Sequence, residues 1–492
     1  MMRLILHLSI LLVGFIIALM PIKGNAQFEE TIKLTGDREE RAEFGTSVAL
    51  NDEFAVVGAS RESIAAGAAY VFMKSDSGWE FAQKITANDA AEMAEFGGGM
   101  KLGENFLAIA SGRADIGTAL RAGAIYIYDL AENNFEFNSK LIASDYSDGA
   151  LLAVNPTSMD VFENTILAGA PGTDNWSGAV YIFEREGNNW SETHKITAPE
   201  EIPYINFGIG VSISGNYMVA GASGENNGAG TAYIYEKSDA GNWEFVQKIQ
   251  ASDAQSNTYF GNSISLSGNQ MVIGAYAEGH PGTNLAAAYV FERNEEGNWI
   301  EIQKISGPDA NEDTYFAWMV EMNENRMAIT APHVYGLETG KVFIYEKTDD
   351  GTWEEVQMIV PEEDIIEDFF GWSVAMNSDE IIIGAPRDHF DANGENDMMD
   401  AGSAFIFTDN NLGISEENFL ISATVYPNPA KNLIHIESSE RVQLVEVYSV
   451  TGQKIITEKD VSVDISALPK GNYFIKIKMS SGNTKTLKFI KN

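Results

Sequence analysis

Seven times along the chain a short apolar run ends in small side chains. The runs are AVVGAS (Ala55–Ser60), LAIASG (Leu107–Gly112), ILAGAP (Ile166–Pro171), MVAGAS (Met218–Ser223), MVIGAY (Met271–Tyr276), MAITAP (Met327–Pro332) and IIIGAP (Ile381–Pro386). One small-residue slot within them (Gly58, Ala110, Gly169, Gly221, Gly274, Thr330, Gly384) recurs at intervals of 52, 59, 52, 53, 56 and 54 residues. Such a period marks a repeat architecture, whose units cannot bury their apolar faces alone.

Each unit carries three further strand patterns. One opens on Phe-Gly and alternates, as in Phe44–Leu50, Phe260–Leu266 and Phe370–Met376. Another follows a variable loop: Gly67–Phe72, Gly123–Tyr128, Gly178–Phe183, Gly230–Tyr235, Ala287–Phe291, Gly340–Tyr345 and Gly402–Phe407. The last is WEFAQKIT (Trp79–Thr86), with counterparts at Trp190, Trp243, Trp299 and Trp353 and Phe135 in the Trp place. Val, Ile, Tyr and Phe between Gly, Asn and Asp turns predict strands, and no sustained 3.6-residue apolar period predicts a long helix.

The seventh unit lacks its fourth strand after Phe407, whereas FEETIKLT (Phe28–Thr35) supplies one ahead of the first unit. Pairing the two ends closes the array and leaves no long unpaired edge. The predicted fold is therefore all-β: a seven-bladed β-propeller with four-stranded blades, its N-terminal strand completing blade seven. The Phe-Gly starts and Gly-Ala-Pro endings resemble the FG-GAP repeat family, which builds the seven-bladed propeller of integrin α chains. The resemblance covers Phe28 to Phe407. Two units depart from it: the third has no Phe-Gly (SDGALLAV, Ser147–Val154), and the sixth reads FAW (Phe316–Trp318).

The ends differ in character. Met1–Ala26 reads as a signal peptide: Arg3, the apolar stretch Leu4–Met20, then Gly24-Asn25-Ala26 for cleavage between Ala26 and Gln27. No later segment approaches membrane length. Cysteine is absent, which excludes disulfides, thiol chemistry and a lipid-modified cysteine. The propeller is expected over 27–411 and a polar linker over 412–422. Beyond it, YPNPAKNLIHIES (Tyr426–Ser438), VQLVEVYSVTGQKI (Val442–Ile455), VDISALPKGNYFIKIKM (Val463–Met479) and TLKFIKN (Thr486–Asn492) predict a small immunoglobulin-like β-sandwich over 423–492. These phrases closely resemble the type A C-terminal sorting domain of the type IX secretion system of Bacteroidetes. The resemblance implies export to the outside or outer surface of a Gram-negative cell, with the secretion machinery as partner.

Charge follows the same boundary. Residues 27–422 hold 20 basic and 65 acidic side chains, net −45, whereas 423–492 hold 10 and 6, net +4. So acidic a surface repels phosphate backbones and anionic membranes, which disfavours nucleic-acid binding. The calcium loops of integrin-type blades do not carry over. Their place is taken here by tight turns such as Leu50–Phe54, Leu102–Phe106 and Ser267–Met271, too short to wrap an ion. One other loop, between strands two and three of blade seven, alternates Asp391, Asn393, Glu395 and Asp397 around Gly394, and is the one candidate calcium site.

Catalytic signatures are missing. The six histidines form no zinc-binding arrangement, and there is no Gly-x-Ser-x-Gly elbow or Walker loop. A glycosidase would draw carboxylates from distant strands, so a secreted hydrolase on the propeller stays as the alternative. The connections after the second strands vary in length while the strands hold constant, and rigid scaffolds place function on such loops. On that face Tyr204, Tyr259, Tyr315, Arg387 and His389 are the candidate ligand contacts. The expectation is a monomeric, non-catalytic binding or adhesion protein for an extracellular glycan or protein.

Overall fold

The computed structural model describes residues 28–37, 39–200, 202–277, 286–307, 315–332, 339–361, 368–390, 397–409, 423–438, 441–449, 454–459, 461–479 and 484–491. The signal and its cleavage site Ala26–Gln27, the linker 412–422, and Asp391, Asn393 and Glu395 lie outside these residues. The chain divides into two compact units between Gly413 and Ile414.

The first unit holds seven four-stranded antiparallel sheets among its described residues, an arrangement consistent with a β-propeller. Blade one is Phe44–Leu50, Phe54–Ala59, Ala68–Ser75 and Gly78–Ile85, paired in chain order. Five more blades repeat that order. In the seventh, Ser373–Met376, Glu380–Ala385 and Ser403–Asp409 are completed by Phe28–Leu34, with Phe28 opposite Asp409 and Leu34 opposite Ala404. Among the described residues, helix is confined to four-residue turns such as Glu62–Ala65 and a single turn of 3-10 helix. No helix among the described residues is long and apolar enough to cross a membrane.

The core lies between neighbouring sheets; the outer strands keep exposed side chains such as Phe81 and Phe245. Val56 and Val71 of blade one share one cluster with Phe96, Leu107 and Tyr126 of blade two. Across the closure, Leu34, Ile382 and Ile406 pack with Phe44, Val57 and Tyr70. The repeated outer Trp or Phe reaches back to the preceding blade: Phe135 meets Phe54 at 5.1 Å, and Trp190 meets Phe106 at 4.9 Å, both edge-on. A glutamine fastens the same seam. Gln83 bonds the N–H and C=O of Phe135 at 2.9 Å each, and Gln247 and Gln303 do so for Trp299 and Trp353. Gln357 holds Phe28 in the same way, at 2.7 and 2.8 Å, so the N-terminal strand occupies a standard outer position.

Tyrosine, lysine and a carboxylate form a further recurring clasp. Tyr126 Oη donates to Asp89 at 2.6 Å while Lys140 bonds its other oxygen at 2.7 Å; Tyr181, Asp145 and Lys195, and Tyr289, Asp253 and Lys304, repeat it. Partial burial pushes the Asp89 carboxyl up, but the bonds from Lys140 and Tyr126 outweigh it and hold the group below its usual range.

Blade three begins differently from its sequence pattern. Ser147–Val154 is a connection and not a strand. Asn155 caps the 3-10 turn Pro156–Ser158, its side chain accepting from the Ser158 N–H at 3.0 Å, and only then does the inner strand Met159–Phe162 start.

Among its described residues the second unit forms two antiparallel sheets. Ala423–Tyr426, Leu433–Ser438 and Ser462–Asp464 form one; Lys454–Glu458, Val442–Ser449, Gly471–Met479 and Thr484–Lys491 form the other. Ile434, Val445, Val447, Val463, Ile475 and Phe489 fill the core between them.

Candidate functional site

The chain enters most blades through the same turn. In blade one the Thr46 N–H donates to Glu43 C=O at 3.1 Å around Phe44-Gly45, and Gly45 has φ +99°; this is the third position of a type II turn, which favours glycine. The bond recurs as Gly98 to Glu95, Ile209 to Asn206, Asn262 to Tyr259, Trp318 to Tyr315 and Trp372 to Phe369. Phe is the buried anchor of the turn. The residues on either side of Phe-Gly are free to differ between blades.

Those flanking slots build a mouth where the inner strands begin. A cavity of about 200 Å³ there is lined by Thr46 and Glu43 from blade one, Glu95 and Gly98 from blade two, and Asn155 to Thr157 from blade three. Asn262 of blade five, Trp318 and Met319 of blade six and Trp372 of blade seven complete the wall.

One side of the mouth is aromatic. Tyr276, which follows the second strand of blade five (Gln270–Ala275), lies between Tyr259 and Tyr315, stacked at 5.2 and 5.6 Å. Trp318 meets Tyr276 and Tyr315 edge-on at 5.2 and 6.0 Å and lies 4.7 Å from Trp372. Trp318 Nε1 also donates to the Trp372 carbonyl at 3.2 Å. Trp372 stacks on Phe369 at 5.7 Å, and the Arg387 guanidinium sits over the Phe369 ring at 4.3 Å. The arc is continuous from blade five to blade seven.

The other side carries charge. Arg61 follows the second strand of blade one and reaches Glu43 at 3.3 Å; Arg113 does the same for Glu95 in blade two, at 3.1 Å. Burial raises the Glu43 carboxyl above its usual range, against the pull of Arg61 and Arg387. Further along the inner strands Lys101 faces Asp160 at 3.4 Å, and Asp160 accepts from Ser212 Oγ and the Ile213 N–H. Burial alone would lower Lys101, but Asp160 and Glu321 raise it, so the cation persists inside the ring.

The structure gathers some of the sequence-derived candidates and separates others. Tyr259, Tyr315 and Arg387 stand in the arc. Tyr204 does not: it sits two residues ahead of the equivalent turn slot, 63 % exposed, its N–H bonded to the Asn175 carbonyl of the preceding blade. His389 lies in the blade-seven loop, 3.6 Å from Asp397 and 3.5 Å from Asp400. Of the calcium candidates only Asp397 is described, and it is largely exposed. Among the described residues no cluster of three or more His, Asp or Glu is placed to hold a metal ion. Trp318, Trp372, Phe369, Tyr276 and the two Glu–Arg pairs were not predicted. Their signal was available in the slots beside Phe-Gly, which vary in a chain where everything around them repeats.

Residues 28–72, 190–235, 243–291 and 353–407 match the FG-GAP repeat family model, and residues 424–492 match that of the secretion system C-terminal sorting domain. No curated protein matches the chain. All four matched repeats begin on an outer strand and run into the next blade, one strand out of phase with the sheets. A type IX sorting tail of this kind marks a secreted or cell-surface protein of Bacteroidetes and implies contact with the secretion machinery.

Proposed function

We propose, for a chain that carries FG-GAP repeats and a type IX sorting domain, that the propeller works outside the cell as a non-catalytic binding module for a glycan. Residues 423–492, whose two sheets we read as an immunoglobulin-like sandwich, serve export to the outer surface. The observation that carries the reading is the composition of the mouth. Trp318 and Trp372 offer apolar ring faces, and Glu43–Arg61 and Glu95–Arg113 offer paired acceptors and donors within the same small cavity. Sugars present that combination, apolar C–H faces edged by hydroxyls. The purified exported protein, screened on immobilised glycans, should bind a subset, and Trp372→Ala should abolish that binding while the chain stays folded. Binding retained by Trp372→Ala would remove the mouth from the proposal.

A second reading has one observation behind it. Glu43 and Glu95 line one cavity, and burial raises Glu43, as a general acid requires. Against it, each carboxylate is in contact with an arginine, and Arg61 pulls Glu43 toward its ionised form. Release of free sugar from a bound glycan, lost in Glu43→Gln, would establish the hydrolase.

A further inference from the structure

We infer that the mouth receives the end of a glycan chain, a single neutral terminal pyranose entering along the propeller axis, and not a stretch of chain lying across the face. The inference rests on reading the mouth as a glycan site.

Size comes first. A cavity of about 200 Å³ is smaller than the roughly 300–1,000 Å³ of pockets that take drug-sized ligands, and suits one sugar ring. Its shape points the same way. Six blades contribute to the lining, so walls stand on opposite sides: Thr157 of blade three and Trp372 of blade seven border the same space. An internal segment of polysaccharide needs a groove open at two ends, whereas a socket walled by six of the seven blades admits a terminus. Where a glycan is anchored through its reducing end, the terminus that remains free is the non-reducing one.

Charge selects the kind of sugar. Arg61 and Arg113 each lie against a glutamate, at 3.3 and 3.1 Å, so neither contributes an unmatched positive charge to the socket. Around it, residues 27–422 carry net −45, which repels uronates and other anionic sugars before contact. Each Glu–Arg pair can accept a hydrogen bond from one hydroxyl and donate one to its neighbour, the demand that a vicinal diol makes.

The test uses the full exported protein and its intrinsic fluorescence, since two of its 8 tryptophans line the socket. Neutral hexoses, hexuronates and a series of neutral oligosaccharides are titrated, the oligosaccharides with the non-reducing ring either free or capped as its 4,6-O-benzylidene acetal. The expected result is saturable binding of at least one neutral sugar and a loss of about 100-fold or more on capping. Lengthening the chain beyond two rings should change affinity by less than about tenfold. Undiminished binding of capped chains, or affinity that climbs with every added ring, overturns the end-on geometry while leaving a glycan site in place. Tighter binding of hexuronates overturns the neutral assignment. Absence of binding to every sugar tested overturns both this inference and the glycan reading beneath it. Trp372→Phe, which keeps a ring in the slot, checks that any loss seen in Trp372→Ala is not a folding defect.

Discussion

At the scale of single residues, the repeated small slot at the end of each second strand is a contact between backbones. A Cβ at Gly221 would lie 1.9 Å from the Gly261 carbonyl oxygen, and at Gly169 1.8 Å from that of Gly208. Blades one, three, four and seven therefore press their second strand onto the Phe-Gly turn of the next, through Gly58, Gly169, Gly221 and Gly384. Gly221→Ala should lower stability by about 3 kcal/mol or more, read by chemical denaturation, because backbone cannot move aside as a side chain can; an unchanged midpoint would contradict the close approach. A second prediction concerns Asp368. Burial, with Asp388 adding to it, pushes its carboxyl up to about 7, and its Oδ2 has no hydrogen-bond partner among the described residues. Because the folded value exceeds the unfolded one, the native state holds a proton that the unfolded chain releases, and stability falls as pH rises from about 4 to about 7. The fall is on the order of 4 kcal/mol at most. Asp368→Asn should flatten that slope in melting curves taken across the window, and an identical slope would show that the group does not titrate there.

At the scale of elements, the strand Phe28–Leu34 brings more than backbone pairing to blade seven. Lys33 reaches Asp388 at 2.9 Å with both side chains buried, beside Asp368. Lys33→Met should cost about 3 kcal/mol or more by leaving buried carboxylates without that cation. Deleting residues 27–35 should expose the edge of Ser403–Asp409 and give aggregation or rapid proteolysis, which size-exclusion chromatography and limited trypsin digestion would register. A monomeric, protease-resistant deletion product would refute the closure. This pairing was legible in the sequence, because strands obey a two-residue alternation and a missing seventh copy of one pattern can be counted. The mouth was less so. Tyr259 and Arg387 stood out as a ring and a charge near variable loops, but Trp318 and Trp372 sat inside strand patterns where an aromatic residue reads as core. Tyr204 resembled them in sequence and lies elsewhere, because the turn bond from Asn262 to Tyr259 has its blade-four counterpart at Asn206. The departure of the third blade from Phe-Gly was legible, but not what replaces it, because the 3-10 turn Pro156–Ser158 carries no glycine to announce it.

At the scale of the whole molecule, two units of opposite charge divide the work. The propeller has a core of its own between every pair of blades, and the sorting unit has a separate one. A chain truncated before Tyr426 should therefore fold and melt cooperatively, yet accumulate in the periplasm; its appearance in the medium at normal yield would show that residues 424–492 are dispensable for export. The same division predicts that the isolated tail, fused to a foreign folded domain, carries it out of the cell.

The closure of blade seven also sets a timetable. Thr31 Oγ1 bonds the carbonyl of Ile406, 375 residues away. The first strand to leave the ribosome is thus among the last to find its partner, after roughly 20–75 s of synthesis at about 5–20 residues per second. Throughout that interval the growing ring has two raw edges, and anything that pairs with either one ahead of its true mate yields a linear, sticky polymer. The stretch Phe28–Leu34 is accordingly where a periplasmic chaperone would do the most good, and where a single strand borrowed from a neighbouring copy would do the most harm.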